Sequence, residues 1–213
     1  MAYKFVSDIL PKNLWGVKCP HEMKAECIVV HNTANDASAA DEIAYMKKTP
    51  YSYTSYHYAV DNKEVRQAIP YNRNTYHAGD GEYGDGNRKG IGIEICYSKS
   101  GGSKFIAAEE NAAMFVAELL KQFGWGIDKV KKHQDFSGKY CPHRTLDMGW
   151  ERFLSKVRGY MITELTEIND IVFELVSRGI VSSADLWLEK LKTDTNAYWL
   201  ARKMVHYIRK EGK

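Results

Sequence analysis

The pattern of the sequence changes near residue 160, and this change constrains the fold more than any other feature. Before it, short β-branched runs broken by Gly, Asn and Asp alternate with helical segments. After it, glycine becomes rare and the apolar spacing is helical throughout. We therefore expect an α/β domain built around one sheet over residues 1–158, followed by a small all-helical domain over residues 160–213. No Pro/Gly/Ser-rich linker separates them, which places the join near residues 158–159.

The first part predicts three strand regions and two helices. The segments ECIVVHNT and GIGIEICYS have the composition of strands, and SYHYAVDNKEVRQAIP reads as strand, turn, strand, which is typical of a hairpin. The two predicted helices are residues 36–48, capped by Asp36 or Ser38, and residues 107–124, ended by Gly124. In the second part, residues 161–179, 183–192 and 196–210 predict three short helices.

Composition and charge exclude several classes of protein. The formal net charge of +3 is too small to indicate nucleic-acid binding by itself. No run approaches the roughly 18 apolar residues that a membrane span requires, so we expect no membrane insertion. The beginning of the chain, MAYKFVSDILPKNLWGVK, lacks the features of a signal peptide. We therefore expect synthesis in the cytoplasm, where a cysteine stays reduced and serves more readily as a metal ligand or nucleophile than in a disulfide.

The segment KKHQDFSGKYCPHR, residues 131–144, concentrates the chemistry of the chain. It brings His133, His143 and Cys141 together in one loop, and zinc binds imidazole nitrogen and thiolate sulfur. His31, at the end of the strand CIVV, is the best candidate for a ligand from elsewhere in the chain. From the residues alone, His133 and His143 remain nearly equal partners for Cys141.

Five segments carry a family resemblance, and they occur in the order IVVHNTA, SYHYAVDNKEVRQAIP, HAGDG, GIGIEIC and HQDFSGKYCPH. Together they resemble the type-2 N-acetylmuramoyl-L-alanine amidases, zinc enzymes that share a fold with peptidoglycan recognition proteins. The resemblance covers about residues 20–155 and implies a central mixed β-sheet flanked by helices. It also implies that His31, His133 and Cys141 bind Zn²⁺, with His143 as a neighbour. The family often has a second histidine where this chain has Asn32, a departure that leaves the ligand intact.

Further roles follow from the resemblance and from the chemistry of amide hydrolysis. Lys139 is expected to stabilise the oxyanion, because a positioned cation lowers the energy of a tetrahedral intermediate. Glu94, flanked by isoleucines in a strand, is expected to be the general base, since partial burial raises the pKa of a carboxyl group. Tyr56 is the second candidate for a residue beside the zinc-bound water.

The resemblance also suggests residues that contact substrate. His77 is expected to line the substrate groove and to bond a carbonyl of the substrate. Asn87 and Arg88 precede the strand of Glu94 and are expected to reach a carboxylate of the stem peptide.

A chain of this kind resembles a bacteriophage endolysin, made in the host cytoplasm and released to the cell wall through a separate holin-type pore. The C-terminal helices would then bind peptidoglycan. Trp187, Tyr198 and Trp199 are candidates to stack on sugar faces, or else they pack the core of the helices. The alternatives are a bacterial autolysin of the same chemistry, a non-catalytic peptidoglycan-binding protein, and a structural zinc protein whose site is closed by His143.

Overall fold

A six-stranded mixed sheet forms the centre of the protein in a computed structural model, which describes residues 3–211 apart from the side chains of 162–166, 195, 206 and 209–211. Its strands are β1 Lys4–Ser7, β2 Cys27–Asn32, β3 Tyr58–Val60, β4 Glu64–Gln67, β5 Gly90–Ile95 and β6 Val130–Lys132. Their order across the sheet is β1-β4-β3-β5-β2-β6. The hairpin pair β3 and β4 is antiparallel, and the other neighbouring strands run parallel.

Helices lie on both sides of the sheet and continue beyond it. In the described residues they are α1 Trp15–Lys18, α2 Ala39–Lys48, α3 Asp85–Lys89, α4 Gly102–Phe123, α5 Gln134–Ser137, α6 His143–Asp147, α7 Trp150–Ser177, α8 Ala184–Thr193 and α9 Thr195–Glu211. A capping box begins α2, in which the Ser38 hydroxyl accepts from the Asp41 amide. Gly124, with φ of 65°, ends α4 in the left-handed conformation that glycine adopts without strain.

The two faces of the sheet differ in chemistry because side chains alternate along a strand. One face presents fully buried aliphatic residues of β2 and β5, including Ile28, Val30 and Ile93, which pack with α4 in the main hydrophobic core. On the other face His31 of β2 lies directly opposite Glu94 of β5. The face opposite α4 therefore carries His31 and Glu94 beside a second apolar cluster, which includes Ile43 of α2 and Ala59 of β3.

The predicted α/β fold with a central mixed sheet flanked by helices is confirmed. The predicted strands and hairpin correspond to β2, β3, β4 and β5, and the two predicted helices to α2 and α4. The strands β1 and β6 and the short helices α1, α3, α5 and α6 were not predicted. Each of them is too short for its apolar spacing to be distinguished from that of a loop.

The expected join at residues 158–159 lies inside a continuous helix, α7. The first part of α7 packs against the main core through Phe153, Leu154 and Val157. Its second part forms a separate cluster with α8 and α9, in which Ile168, Val172 and Leu175 of α7 take part. The chain thus passes between the two cores without a loop, and their independence as folding units stays a prediction.

The aromatic residues of the C-terminal helices contribute to this second cluster. Tyr198 is buried in it, and Trp187 and Trp199 are half-buried against it. The Lys121 ammonium of α4 lies 4.0 Å from the centre of the Tyr198 ring, which links the helices to the α4 side of the sheet. These positions favour the packing role over a sugar-binding role. No helix among the described residues is long and apolar enough to cross a membrane.

Candidate functional site

Three potential metal ligands meet at one end of the sheet. His31 lies near the end of β2, and His133 directly follows the adjacent parallel strand β6, so their side chains emerge side by side. Cys141 returns to them because the Gln134 amide donates to its carbonyl oxygen across the intervening loop. One ligand atom from each of the three residues lies within 4.8 Å of the others, and all three residues are buried.

The ring nitrogens have a defined orientation within this cluster. Nδ1 of His31 lies 3.0 Å from Nδ1 of His133 and 3.9 Å from Sγ of Cys141. Burial lowers the pKa of His31 well below its usual value, and His77, His133 and Lys139 lower it further. Burial, followed by the charge of Lys139, also lowers the pKa of His133. Both imidazoles are therefore neutral at pH 7 and can offer a lone pair to a metal ion.

The third potential ligand is a protonated thiol in the metal-free protein. Burial raises the pKa of Cys141 to about 11, and Glu94 adds to this effect. Two imidazoles and one sulfur converge, which is a donor set that zinc prefers, and the number of protein ligands matches that of catalytic zinc sites. A divalent cation would stabilise the thiolate and offset the cost of its burial. The residues present therefore fit a zinc ion.

His143 lies outside this cluster. It is the first residue of α6, and its Nε2 lies 3.3 Å from the carbonyl oxygen of Ser98. Within the described residues the cluster consists of His31, His133 and Cys141. This geometry favours a site with an open fourth position over one closed by His143.

Glu94 lies beside the cluster on the same face of the sheet, since it is paired with His31 in register. Its Oε2 is buried and has no hydrogen-bond partner in the part of the chain that the structure describes. Burial raises the pKa of Glu94 to about 8, Glu42 raises it further, and Lys139 opposes the shift. The carboxyl group is thus well suited to exchange a proton near neutral pH.

Lys139 is exposed in the loop between His133 and Cys141. Its charge acts on each neighbouring group, because it lowers the pKa of His31, His133 and Glu94. The structure therefore places the exposed Lys139 side chain at the edge of the cluster, where its charge acts on the expected general base.

Tyr56 is hydrogen-bonded to a residue of α2, and its place beside a zinc-bound water stays a prediction. Its buried hydroxyl donates to Oε2 of Glu42 over 2.7 Å, and Asn35 donates to Oε1 of the same carboxylate over 2.6 Å. Glu42 is 8 % exposed and influences the pKa of Glu94. Sequence reasoning did not identify Glu42, because a glutamate on an amphipathic helix is ordinarily a surface residue.

His77 is buried behind His31, and both of its ring nitrogens have neighbours within the protein. Its Nδ1 lies 2.8 Å from Nε2 of His31, and its Nε2 lies 3.3 Å from the carbonyl oxygen of Gly90. This position differs from the one expected for a residue that bonds a substrate carbonyl, and it favours a contact with His31 instead.

The side chain of Asn87 forms hydrogen bonds with backbone groups of the protein. Its Oδ1 accepts from the amides of His77 and Ala78 over 2.8 Å each, and its Nδ2 donates to the carbonyl of Gly81. The buried amide of Asn87 therefore shapes the loop that carries His77, which differs from the expected contact with a stem-peptide carboxylate. Arg88 is half-buried, and its contact with substrate stays a prediction.

Comparison with known proteins identifies the family of this site. A family model described as N-acetylmuramoyl-L-alanine amidase matches residues 21–144. The chain belongs to the N-acetylmuramoyl-L-alanine amidase family. The matched range contains all three residues of the cluster together with Glu94 and Lys139.

Named amidases are among the similar curated proteins. N-acetylmuramoyl-L-alanine amidase CwlA of Bacillus subtilis (strain 168) is 62% identical over 149 residues, which are 70% of this chain and 54% of the relative. The amidase XlyB of the same organism is 58% identical over 153 residues, which are 71% of this chain and 48% of the relative. The chain thus spans about half the length of the curated relatives it matches.

Solved structures also resemble most of the chain. The solution structure of the PlyG catalytic domain is 44% identical with a TM-score of 0.70, and the alignment covers 75% of this chain and 96% of that one. A mutant endolysin from Bacillus subtilis is 38% identical with a TM-score of 0.66, over 73% of this chain and 99% of that one.

Proposed function

We propose that this protein is a zinc-dependent amidase that cleaves the bond between N-acetylmuramic acid and L-alanine of the peptidoglycan stem peptide. The observation that carries the proposal is the buried convergence of His31, His133 and Cys141 beside Glu94. The names of the similar Bacillus amidases support the choice of substrate.

His31, His133 and Cys141 would hold the zinc ion. A bound Zn²⁺ supplies a Lewis acid and lowers the pKa of a coordinated water to near neutrality. Because both imidazoles are neutral, Cys141 is the ligand that has to lose a proton to the solvent when the site is loaded.

Glu94 takes the proton of the attacking water. It must be ionised to do so, and the neighbouring Lys139 ammonium favours its carboxylate form. After the tetrahedral intermediate has formed, Glu94 returns the proton to the departing amide nitrogen of L-alanine. Lys139, exposed on a loop at the edge of the cluster, places its positive charge against the oxyanion.

An endolysin role extends this proposal, and similarity to a solved endolysin supports it. The target would be the bacterial wall during release of phage, with a separate pore giving access to it. Binding of the wall by α7, α8 and α9 remains part of the proposal, although Trp187, Tyr198 and Trp199 are engaged in packing.

The proposal is tested by measuring zinc content and the chemistry of cleavage on the same preparation. Purified peptidoglycan is incubated with zinc-loaded protein, and new L-alanine amino termini are counted together with new reducing sugar ends. We expect one zinc per chain and new amino termini without new reducing ends. His31→Ala, His133→Ala and Cys141→Ala should each lose zinc and activity, whereas the control His143→Ala should keep zinc.

The outcomes separate the alternatives. Zinc without new amino termini would indicate a structural metal site, and wall binding without either would indicate a non-catalytic recognition protein. Loss of zinc in His143→Ala combined with its retention in His133→Ala would reverse the ligand assignment.

A further inference from the structure

A chain of hydrogen bonds runs from the backbone of β5 to the metal cluster. The carbonyl oxygen of Gly90 can only accept, so the nitrogen of His77 that faces it, Nε2, must carry a proton. In a neutral imidazole the other nitrogen is then bare, and Nδ1 of His77 is an acceptor. It lies 2.8 Å from Nε2 of His31, which must therefore donate.

The same reasoning determines which ring nitrogen of His31 is free of a proton. With the proton on Nε2, its Nδ1 carries a lone pair, and Nδ1 is the atom that faces His133 and Cys141. The backbone carbonyl of Gly90 thus determines the tautomer of His31 through one intervening ring.

Contacts on several sides restrict the orientation of the His77 ring, on which the tautomer of His31 depends. It meets the His31 ring edge-on, with an interplanar angle of 84° and centres 4.9 Å apart. It also lies against the backbone of Gly92, where an added Cβ would come within 2.9 Å of the ring. On the loop side, the Asn87 side chain accepts the backbone amide proton of His77. The position of the His77 ring is therefore restricted by its contact with Gly92 and by the hydrogen bond from the His77 amide to Asn87.

We propose that His77 is a positioning residue, which fixes the tautomer and orientation of His31 so that Nδ1 is presented to the metal ion. This inference rests on the proposed zinc-dependent function and adds a residue that acts through a ligand. Outer partners of ligating histidines are usually carboxylates, carbonyls or water, and their loss costs about 10–100-fold in metal affinity. Here a second histidine takes that place.

His57 offers a matched control on the same face of the sheet. It is fully buried, and its ring centre lies 6.3 Å from that of His77. Its Nε2 lies 2.8 Å from the Arg73 carbonyl, and its Nδ1 accepts from the Gly92 amide over 2.9 Å. The Thr75 hydroxyl lies 3.2 Å from the same Nδ1. None of these contacts involves His31, so replacing His57 should lower stability without changing the tautomer of His31.

The test compares two replacements of His77 that separate hydrogen bonding from packing. His77→Phe keeps a planar ring and removes the acceptor, whereas His77→Asn loses the ring but can place Oδ1 where Nδ1 stood. Zinc dissociation constants are measured by competition with a chelator on protein shown to be folded by circular dichroism. We expect zinc binding to weaken about 10–100-fold in His77→Phe, while His77→Asn and His57→Asn stay within a few-fold of the original. A role in packing alone would give the reverse order for the two His77 variants.

A second measurement does not depend on whether the variants fold. In the metal-free original protein, the ¹⁵N chemical shifts of the His31 ring report which nitrogen carries the proton. We expect the proton on Nε2, and a proton on Nδ1 would overturn the inference. If the original protein binds zinc and cleaves the amide but His77→Phe binds zinc equally tightly, this inference alone fails. If the original protein neither binds zinc nor cleaves, the proposed function fails.

Discussion

Glu94 and Glu42 illustrate how much of the site depends on the surroundings of single residues. Tyr56 and Asn35 donate hydrogen bonds to Glu42, whereas Oε2 of Glu94 has no partner among the described residues. Burial and the neighbouring Glu42 both raise the pKa of Glu94. Glu94 therefore holds its proton to a higher pH.

The raised pKa of Glu94 predicts how the stability of the metal-free protein depends on pH. Between the ordinary value of 4.5 and the folded value of about 8, the unfolded chain binds fewer protons at this residue, so stability falls as pH rises. Glu94→Gln lacks this loss. We expect the variant to match the original protein near pH 4.5 and to exceed it by about 1–3 kcal/mol above pH 8, as measured by urea unfolding of zinc-free protein. A difference that shrinks with rising pH would contradict the burial of this carboxyl group.

A second prediction for a single residue concerns Lys139, whose positive charge is expected to increase kcat. Lys139→Ala should keep zinc and fold but lower kcat by about 10²–10³-fold. Lys132 is the matched control: it lies next to His133, but its ammonium pairs with Asp135 over 2.6 Å. Lys132→Ala should leave kcat nearly unchanged. Equal effects of the two substitutions would assign the loss to general charge near the loop.

At the scale of elements, the prediction from sequence succeeded where a segment was long or strongly apolar. The strands β2 and β5 and the helices α2 and α4 were predicted because their patterns extend over many residues. The strand β6, with the sequence VKK, has one apolar residue, and its place in the sheet depends on pairing with β2. The proximity of His31 and His133 follows from that pairing, so local pattern could not have revealed it. Likewise, the burial of Glu42 depends on how α2 packs on the sheet.

The continuity of α7 through residue 159 predicts how a substitution of Gly159 changes the stability of the protein. Gly159 lies exposed in the helix, and a Cβ added to it would meet nothing within 4 Å. Gly159→Ala should therefore stabilise the protein by about 0.5–1 kcal/mol in thermal or urea unfolding. The control is Gly124→Ala, which should destabilise, because its φ of 65° is unfavourable for alanine. A neutral Gly159→Ala would show that the helix does not persist there in solution.

At the scale of the whole molecule, the cluster of His31, His133 and Cys141 and the C-terminal helices lie on opposite sides of the sheet. The main core on the α4 face includes Phe153 and Val157 of α7, whereas His31 and Glu94 lie on the other face. The helices α8 and α9 approach the protein from the α4 side, where Tyr198 contacts Lys121. Substrate can thus reach the cluster without displacing them.

This arrangement predicts the effect of two truncations. Ending the chain after residue 161 keeps the part of α7 that packs on the main core, so we expect a folded, zinc-binding protein that cleaves soluble muropeptides. Ending it after residue 149 removes Phe153, Leu154 and Val157 and should prevent folding. Circular dichroism and zinc content distinguish the two. Aggregation of the longer fragment would show that α8 and α9 are required by the main core.

Gly92 has a further consequence, which concerns how such proteins lose their chemistry during evolution. A single added methyl group there would press on the ring of His77 from 2.9 Å and disturb the support of His31. A descendant with alanine at this position would retain the three proposed metal ligands, the proposed general base Glu94 and Lys139 in its sequence. An inventory of those residues would classify it as an active enzyme, although we expect it to bind zinc about 10–100-fold more weakly. Inactive descendants of this fold can therefore arise through a residue that has no side chain to inspect.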